Sequence, residues 1–334
     1  MPAREPDPIE HPLRLLVTAG RYREALALFL GGDGPAPAPG AGAQLLAAQA
    51  AARIGEFALA CRLAGAAQER CRGEGEYSGV LEATNLLGAV AFEEGRIEEA
   101  EACFGEVLAQ AEARGLHLLV AKSANNSANV AHLRGREESA SGLYQRALNA
   151  WVVLGDRRGM AEVHHNLAQY HRRRGDAREA EAACDQAVEA ADRHGETGLL
   201  ALTLLGRAEI RIEEGAFAEA TRDIDRAELL AWSAGNALNR LEAERLRALV
   251  ALREGKARCA HVLAEAARVR AVKAGFTLLA AETASVAALA LRADGREREA
   301  GVAREGVLAA YRKLDAAEPL GRFEREWEGV GVVA

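Results

Sequence analysis

The sequence predicts an all-α solenoid of stacked helical hairpins, and three observations predict it. Glycine stands at every twentieth position from Gly55 onward: Gly55, Gly75, Gly95, Gly115, Gly135, Gly155, Gly175, Gly195, Gly215, Gly235, Gly255, Gly275 and Gly295. At an average usage of about 7% such a register does not arise by chance. Alternate rungs are followed, five positions later, by Ala60, Ala100, Ala140, Ala180, Ala220, Ala260 and Ala300. Seven positions before those same rungs the side chain is again small: Ala48, Gly88, Ala128, Ala168, Ala208, Ala248 and Ala288.

The interval between rungs holds one helix of about 16 residues and a turn. Glycine suits the position just past a helix end because it takes positive φ without steric cost. Because two classes of rung alternate, the true period is two rungs, a pair of helices. Small residues at one level of each pair let the two backbones approach closely near the turn. A single hairpin cannot bury its apolar side, whereas stacked neighbours can, and that is the physics of a solenoid.

Along the chain, residues 1–10 are polar and proline-containing and are expected to be disordered, with no secretory signal. Residues 11–30 predict a short first hairpin, with Leu13, Leu16 and Val17 before Gly20, and Ala25, Leu26 and Phe29 after it. Residues 31–43, which include the run GGDGPAPAPGAG, form a linker that cannot continue a helix and leaves open whether the first hairpin stacks in register. Residues 44–315 predict seven regular hairpins. Residues 316–334 leave the period; Phe323 and Trp327, four apart, fit a capping helix that seals the last hairpin, with a partner-docking tail as the alternative.

Composition narrows the function classes. Aromatics make up 4% of the chain, so alanine does much of the packing, which fits close helix pairs and argues against a sheet. A net charge of −7 argues against sequence-independent nucleic-acid binding. No apolar stretch reaches the length that spans a bilayer, and a cytoplasmic location is expected. Cys61, Cys71, Cys103, Cys184 and Cys259 are scattered, with no Cys-x-x-Cys, and are expected as small packing residues in a reducing compartment. His132, His164, His165 and His171 cluster in two adjacent copies without carboxylate or cysteine support, so no metal site is expected. There is no Gly-Lys-Ser/Thr phosphate loop and no grouping of nucleophile, base and orienting residue, so neither a cofactor nor an enzyme is expected.

Asn85-Leu86-Leu87-Gly88, then Gly95-Arg96-Ile97-Glu98-Glu99-Ala100, then Phe104, resembles the tetratricopeptide repeat. The resemblance covers roughly residues 44–315, with an outlying copy at Gly20, Ala25 and Phe29. The family's aromatic eleven positions before the turn glycine is replaced by Gln44, Thr84, Ala124, His164, Leu204, Glu244 and Ala284. The proline near the end of the second helix is missing too, and the period is 40 rather than the usual 34. The resemblance implies a right-handed superhelical α-solenoid whose first helices line a concave face. The inward positions lie thirteen, ten, six, three and two places before the turn glycine.

Carried onto this chain, those positions form two zones. A polar zone holds Asn85, Lys122, Asn125, Asn129, His132, His165, Gln169, Arg172 and Arg173. Amide side chains both donate and accept, so rows of them can bond the backbone of an extended peptide, while Arg and Lys hold an acidic side chain or a terminal carboxylate. An apolar zone holds Leu202, Leu205, Ile212, Leu249, Leu252 and Leu289, suited to an amphipathic partner helix or a second copy of the chain. A carboxylate clamp known in some family members is not expected: Asn125, Asn129 and Asn166 match it, but Leu202 and Gly206 stand where its cations belong. The expected function is a non-enzymatic scaffold that binds a protein or peptide segment in its groove, in a bacterial-type regulatory or assembly context. The alternatives are a self-associating, homodimeric structural or regulatory protein and a peptide-sensing signalling accessory.

Overall fold

The computed structural model describes residues 7–31, 39–194 and 197–329. Of residues 1–10, expected to be disordered, 1–6 lie outside that range, as do most of the Gly/Pro/Ala linker and the last five positions of the tail, while residues 7–10 form a turn that leads into the first helix. The described residues form 17 helices and no strand: α1 (Glu10–Thr18), α2 (Tyr22–Leu30), α3 (Ala41–Arg53), α4 (Phe57–Glu74), α5 (Tyr77–Glu93), α6 (Ile97–Ala113), α7 (His117–Leu133), α8 (Glu137–Leu154), α9 (Arg157–Arg174), α10 (Ala177–His194), α11 (Thr197–Glu213), α12 (Phe217–Ala234), α13 (Ala237–Arg253), α14 (Ala257–Lys273), α15 (Thr277–Ala293), α16 (Glu297–Lys313) and α17 (Ala317–Gly329). The helices from α4 to α16 are nearly equal in length, slightly longer than the glycine spacing alone suggests.

The glycine ladder is the set of helix ends. Twelve of its thirteen members are described, and all twelve have φ between +65° and +88°. Within each hairpin the turn repeats one hydrogen-bond pattern: Arg96 N–H donates to Ala91 O at 2.8 Å and Lys256 N–H to Ala251 O at 2.9 Å, which satisfies carbonyls left open at the helix end. The alanines beside the ladder are the helix contacts. Ala60, Ala100, Ala140, Ala180, Ala220, Ala260 and Ala300 are all buried, as are Ala48, Ala128, Ala168, Ala208, Ala248 and Ala288. Gly88 completes the second set, and there an added Cβ would stand 2.8 Å from Cys103 Cβ and from the Phe104 ring.

Odd-numbered helices from α1 to α15 pack each on the next odd-numbered one and form the inner layer; the even-numbered helices form the outer layer. The first hairpin joins this stack, with α1 and α2 both packed on α3. Its apolar side closes a cluster of Leu13, Val17, Tyr22 and Ala25 with Ala43, Ala50 and Ala234.

The superhelix then closes on itself. Phe57 and Phe276 stack edge to face. Thr197 Oγ1 donates to Ala19 O at 3.2 Å. Leu314 packs over Gly95, and α17 lies against α7 of the preceding superhelical turn. One apolar cluster therefore joins Ile97, Phe104 and Leu133 to Leu289, Tyr311 and Phe323. Among the described residues no helix is long and apolar enough to cross a membrane. All five cysteines are free; Cys71 and Cys184 are buried, and burial pushes their thiols up to about 11 and about 12.

Candidate interaction channel

The inner helices bring the sequence-predicted polar residues together along the superhelix axis, where most of them are bonded to the next repeat. Asn125 Oδ1 accepts from Asn166 Nδ2 at 2.9 Å, and Asn85 Oδ1 accepts from Asn126 Nδ2 at 3.4 Å, the same relationship one repeat earlier. Asn129 Oδ1 accepts from Tyr144 Oη at 2.7 Å. Lys122 pairs at 3.3 Å with Glu82, its counterpart in the previous repeat. The repeat spacing places these partners opposite one another on neighbouring inner helices, so the amides cross-link repeats as a ladder.

His132 and His165 are both buried. Burial, reinforced by Arg173, Arg172 and Arg322, brings His132 down to about 2, so its ring is neutral. Its Nε2 lies 3.1 Å from Arg173 Nη1 and, as an acceptor, matches that donor. Burial also lowers His165 to about 4, opposed by Glu209 and aided by Arg172. His165 packs over Gly206, where an added Cβ would stand 2.7 Å from the ring, so this glycine lets α9 and α11 approach. Gln169 Nε2 donates to Gly206 O at 3.3 Å.

Deeper in, the charges form one chain across three inner helices. Arg172 donates to Gln169 at 2.9 Å and to Glu213, and pairs with Glu209 at 3.1 Å. Glu209 accepts from Arg245 Nη2 at 2.7 Å, and Arg245 also donates to Glu242 at 3.0 Å. Burial works against the charge of Glu209, but Arg172 and Arg245 outweigh it and hold the carboxyl far below its usual range. Arg173 turns the other way, to Glu318 of α17 at 3.0 Å and to Glu282 at 3.7 Å. Around this chain lies a narrow cleft with free room of about 20 Å³ for water-sized spheres. Arg172, Glu209, Arg245, Glu282 and Arg322 wall it, and Ile212, Leu249, Val286 and Leu289 form its apolar side.

The apolar zone differs from an exposed strip. Leu205, Ile212 and Leu289 are each 2% exposed. Leu205 and Ile212, with Leu249 at their edge, belong to the core between α9 and α13. Leu289, with Leu252 packed beside it, belongs to the cluster that joins the two superhelical turns. Leu202 is partly buried. Longer helices and superhelical closure roof over an inner face that an open arc of repeats would leave bare.

Some participants lie outside the inward positions read from the sequence. Asn126 follows Asn125 directly and stands one repeat before Asn166, a signal present in the sequence. Asp315 stands where the next ladder glycine would fall, and Glu318 and Arg322 follow it beyond the last regular copy.

Residues 79–151 and 119–193 match the tetratricopeptide repeat family model, which overlaps the part of the chain that carries the amide ladder. Residues 79–193 thus carry tetratricopeptide repeats. No curated protein matches the sequence. Solved structures share the fold of this chain at low identity. A Rap protein complexed with competence and sporulation factor superposes with a TM-score of 0.60 at 12% identity, over 97% of this chain and 96% of that one. The Cut9–Hcn1 hetero-tetramer of APC/C gives 0.57 at 13% identity, over 94% of this chain and 55% of that one. A signal transduction ATPase with a tetratricopeptide repeat sensor, from Pyrococcus horikoshii, gives 0.53 at 14% identity, over 93% of this chain and 51% of that one.

Proposed function

We propose that this protein is a non-catalytic interaction scaffold that takes a peptide segment of a partner protein in its inner channel. The observation that carries the reading is the cleft between α9, α11, α13, α15 and α17, where an apolar side meets paired arginines and glutamates. Such a lining recognises an amphipathic segment: an apolar side chain packs on Leu249, the partly exposed member of the apolar side, and charged ones exchange with the existing pairs. The polar zone of Asn85, Lys122, Asn125, Asn129, His132, His165, Gln169, Arg172 and Arg173 serves mainly to set the spacing of the repeats that build the cleft. Sensing of a small effector is a narrower form of the same reading, supported at the level of the fold by the Rap protein solved with its factor.

A photo-crosslinking residue at Leu249, inside the cleft, tested against one at Val262, on the outer helix α14 and 66% exposed, checks the proposal in cell lysate. Partners captured at Leu249 and absent at Val262 are expected. The same partners captured equally at both positions overturn the channel as the site.

Self-association is a second reading, favoured by a different surface from the inner leucines. Leu229 and Trp232 on α12, 72% and 60% exposed, stand one repeat before Val269 and Val272 on α14, also exposed, so the repeat sets exposed apolar side chains at matching positions of the outer layer. Light scattering of wild type and Leu229→Glu decides it: a mass that falls on substitution supports this reading, and a monomer in both removes it.

A further inference from the structure

The last helix breaks the rule of the ladder. Position 315 is the next rung after Gly295, yet it holds Asp315, the one non-glycine residue of positive φ among the described residues, at +50°. Left-handed backbone disfavours a side chain. Here the side chain has a use: Asp315 Oδ2 meets Arg134 Nε of the preceding superhelical turn at 2.9 Å. The hinge into α17 is thus strained and tied across the seam.

The helix itself is weakly self-sustaining. It has 13 residues, carries Gly321 in its interior and buries only Pro319 and Phe323, whereas α15 buries ten residues. Beside Phe323, with Leu320 and Trp327 packed against the same apolar cluster, charge holds it. Glu318 pairs with Arg173 at 3.0 Å and Glu326 with Arg253 at 3.2 Å. Trp327 lies under the guanidiniums of Arg292, at 4.7 Å, and Arg304, at 5.6 Å. The fit is incomplete: Glu318 Oε1 and Arg322 Nε face each other at 3.5 Å, and both are buried without a hydrogen-bond partner.

We propose that α17 is a releasable clasp on the channel, and that an acidic, aromatic-bearing helical segment of a partner protein displaces it and takes its place. The chemistry of that partner follows from complementarity. Residues 315–329 carry five carboxylates and two guanidiniums, and their docking face supplies Arg134, Arg173, Arg253, Arg292 and Arg304. Phe323 and Trp327, their rings 5.7 Å apart, supply the apolar anchor that a substitute must reproduce. Arg322 and Glu326 also line the cleft, so release of α17 widens it. The proposal rests on the channel being the interaction site.

The test uses the full chain and a labelled synthetic peptide of residues 315–329 as probe. The Phe323→Ala/Trp327→Ala variant, whose own clasp has lost its anchor, is expected to bind the peptide about tenfold or more tighter than wild type, and added salt is expected to weaken that binding. A folded variant that binds no better than wild type overturns the clasp. Should the variant fail to fold, amide exchange on the unmodified chain decides: α17 is expected to exchange by local opening, faster than α15 and α16, and protection equal to theirs overturns the proposal. A partner captured at Leu249 while α17 stays protected sinks the clasp and leaves the channel reading standing. Peptide binding by the variant, with nothing captured at Leu249, sinks the channel reading and leaves the clasp.

Discussion

The rings of Phe57 and Phe276 meet edge to face, with centroids 5.1 Å apart and planes at 83°, although Phe57 follows the turn within the hairpin of α3 and α4 and Phe276 the connection from α14 to α15, far along the chain. Both are buried, and with Leu26, Leu241 and Leu279 they form the core of the seam between turns. Phe276→Ala removes that contact and leaves a cavity with no second layer to fill it. The expected loss of stability is about 3 kcal/mol, as for other buried aromatic truncations. Because the seam sets how tightly the superhelix winds, the radius of gyration from small-angle scattering should rise as well. A lower unfolding midpoint with unchanged dimensions would show packing alone and no hold on the superhelix.

A matched pair of glycines separates turn geometry from seam contact. Gly95 and Gly255 share the same backbone, φ +79° and +78°. An added Cβ at Gly255 meets nothing within 4 Å, whereas at Gly95 it stands 2.5 Å from Leu314 Cδ2 and 3.1 Å from Thr277. Gly255→Ala should cost about 1–2 kcal/mol for the left-handed backbone alone. Gly95→Ala should cost more, by roughly a further 1–3 kcal/mol, the usual cost of overpacking. Equal losses in urea unfolding would mean that the seam yields without resistance.

The hairpins were legible because they rest on local rules: positive φ at glycine and small residues where helices touch both repeat with the period. The inward set was legible as positions, and Asn125, Gln169, Arg172, Ile212 and Leu289 do converge on the axis. Their burial was not. It depends on closure between Phe57 and Phe276 and between Arg134 and Asp315, pairs far apart in the chain whose approach follows from the accumulated twist of many repeats. A pattern with the period of one hairpin describes contacts between neighbours and is silent about contacts one full turn away. Asp315 shows the same limit from the other side: it stands in register with the ladder, but only its cross-turn partner explains why it is not glycine.

Neutralising carboxylates along the channel gives a sharper expectation for Glu209 than for Glu213, although both pair with Arg172. Glu209 is buried between Arg172 and Arg245, so Glu209→Gln leaves two buried guanidiniums short of a counter-charge and should cost about 3 kcal/mol. The Glu213 side chain is 46% exposed, and water screens what Glu213→Gln removes, so the loss should stay below about 1 kcal/mol. Chemical unfolding of the two variants side by side checks this; similar losses would mean that the buried chain is no more than a surface network.

Glu93, the last residue of α5, gives the protein a pH signature of its own. Burial raises its carboxyl to about 7, with Arg53 opposing and Glu282 adding to the rise. The folded state therefore keeps the proton over a range in which the unfolded chain, near the ordinary carboxylate value, has lost it. A group whose folded pKa is raised contributes stability that is fully present below the unfolded pKa and is lost as pH rises through the folded one. Wild type and Glu93→Gln should thus be equally stable near pH 4.5, and the variant should gain steadily up to about pH 7, reaching an advantage of roughly 2–3 kcal/mol above it. Histidines such as His165, lowered to about 4, weaken both proteins on the acid side and cancel in the difference. The measurement is the unfolding free energy of the pair across pH 4.5 to 8.5, and a difference that does not grow with pH would mean that Glu93 is ionised in the folded protein throughout.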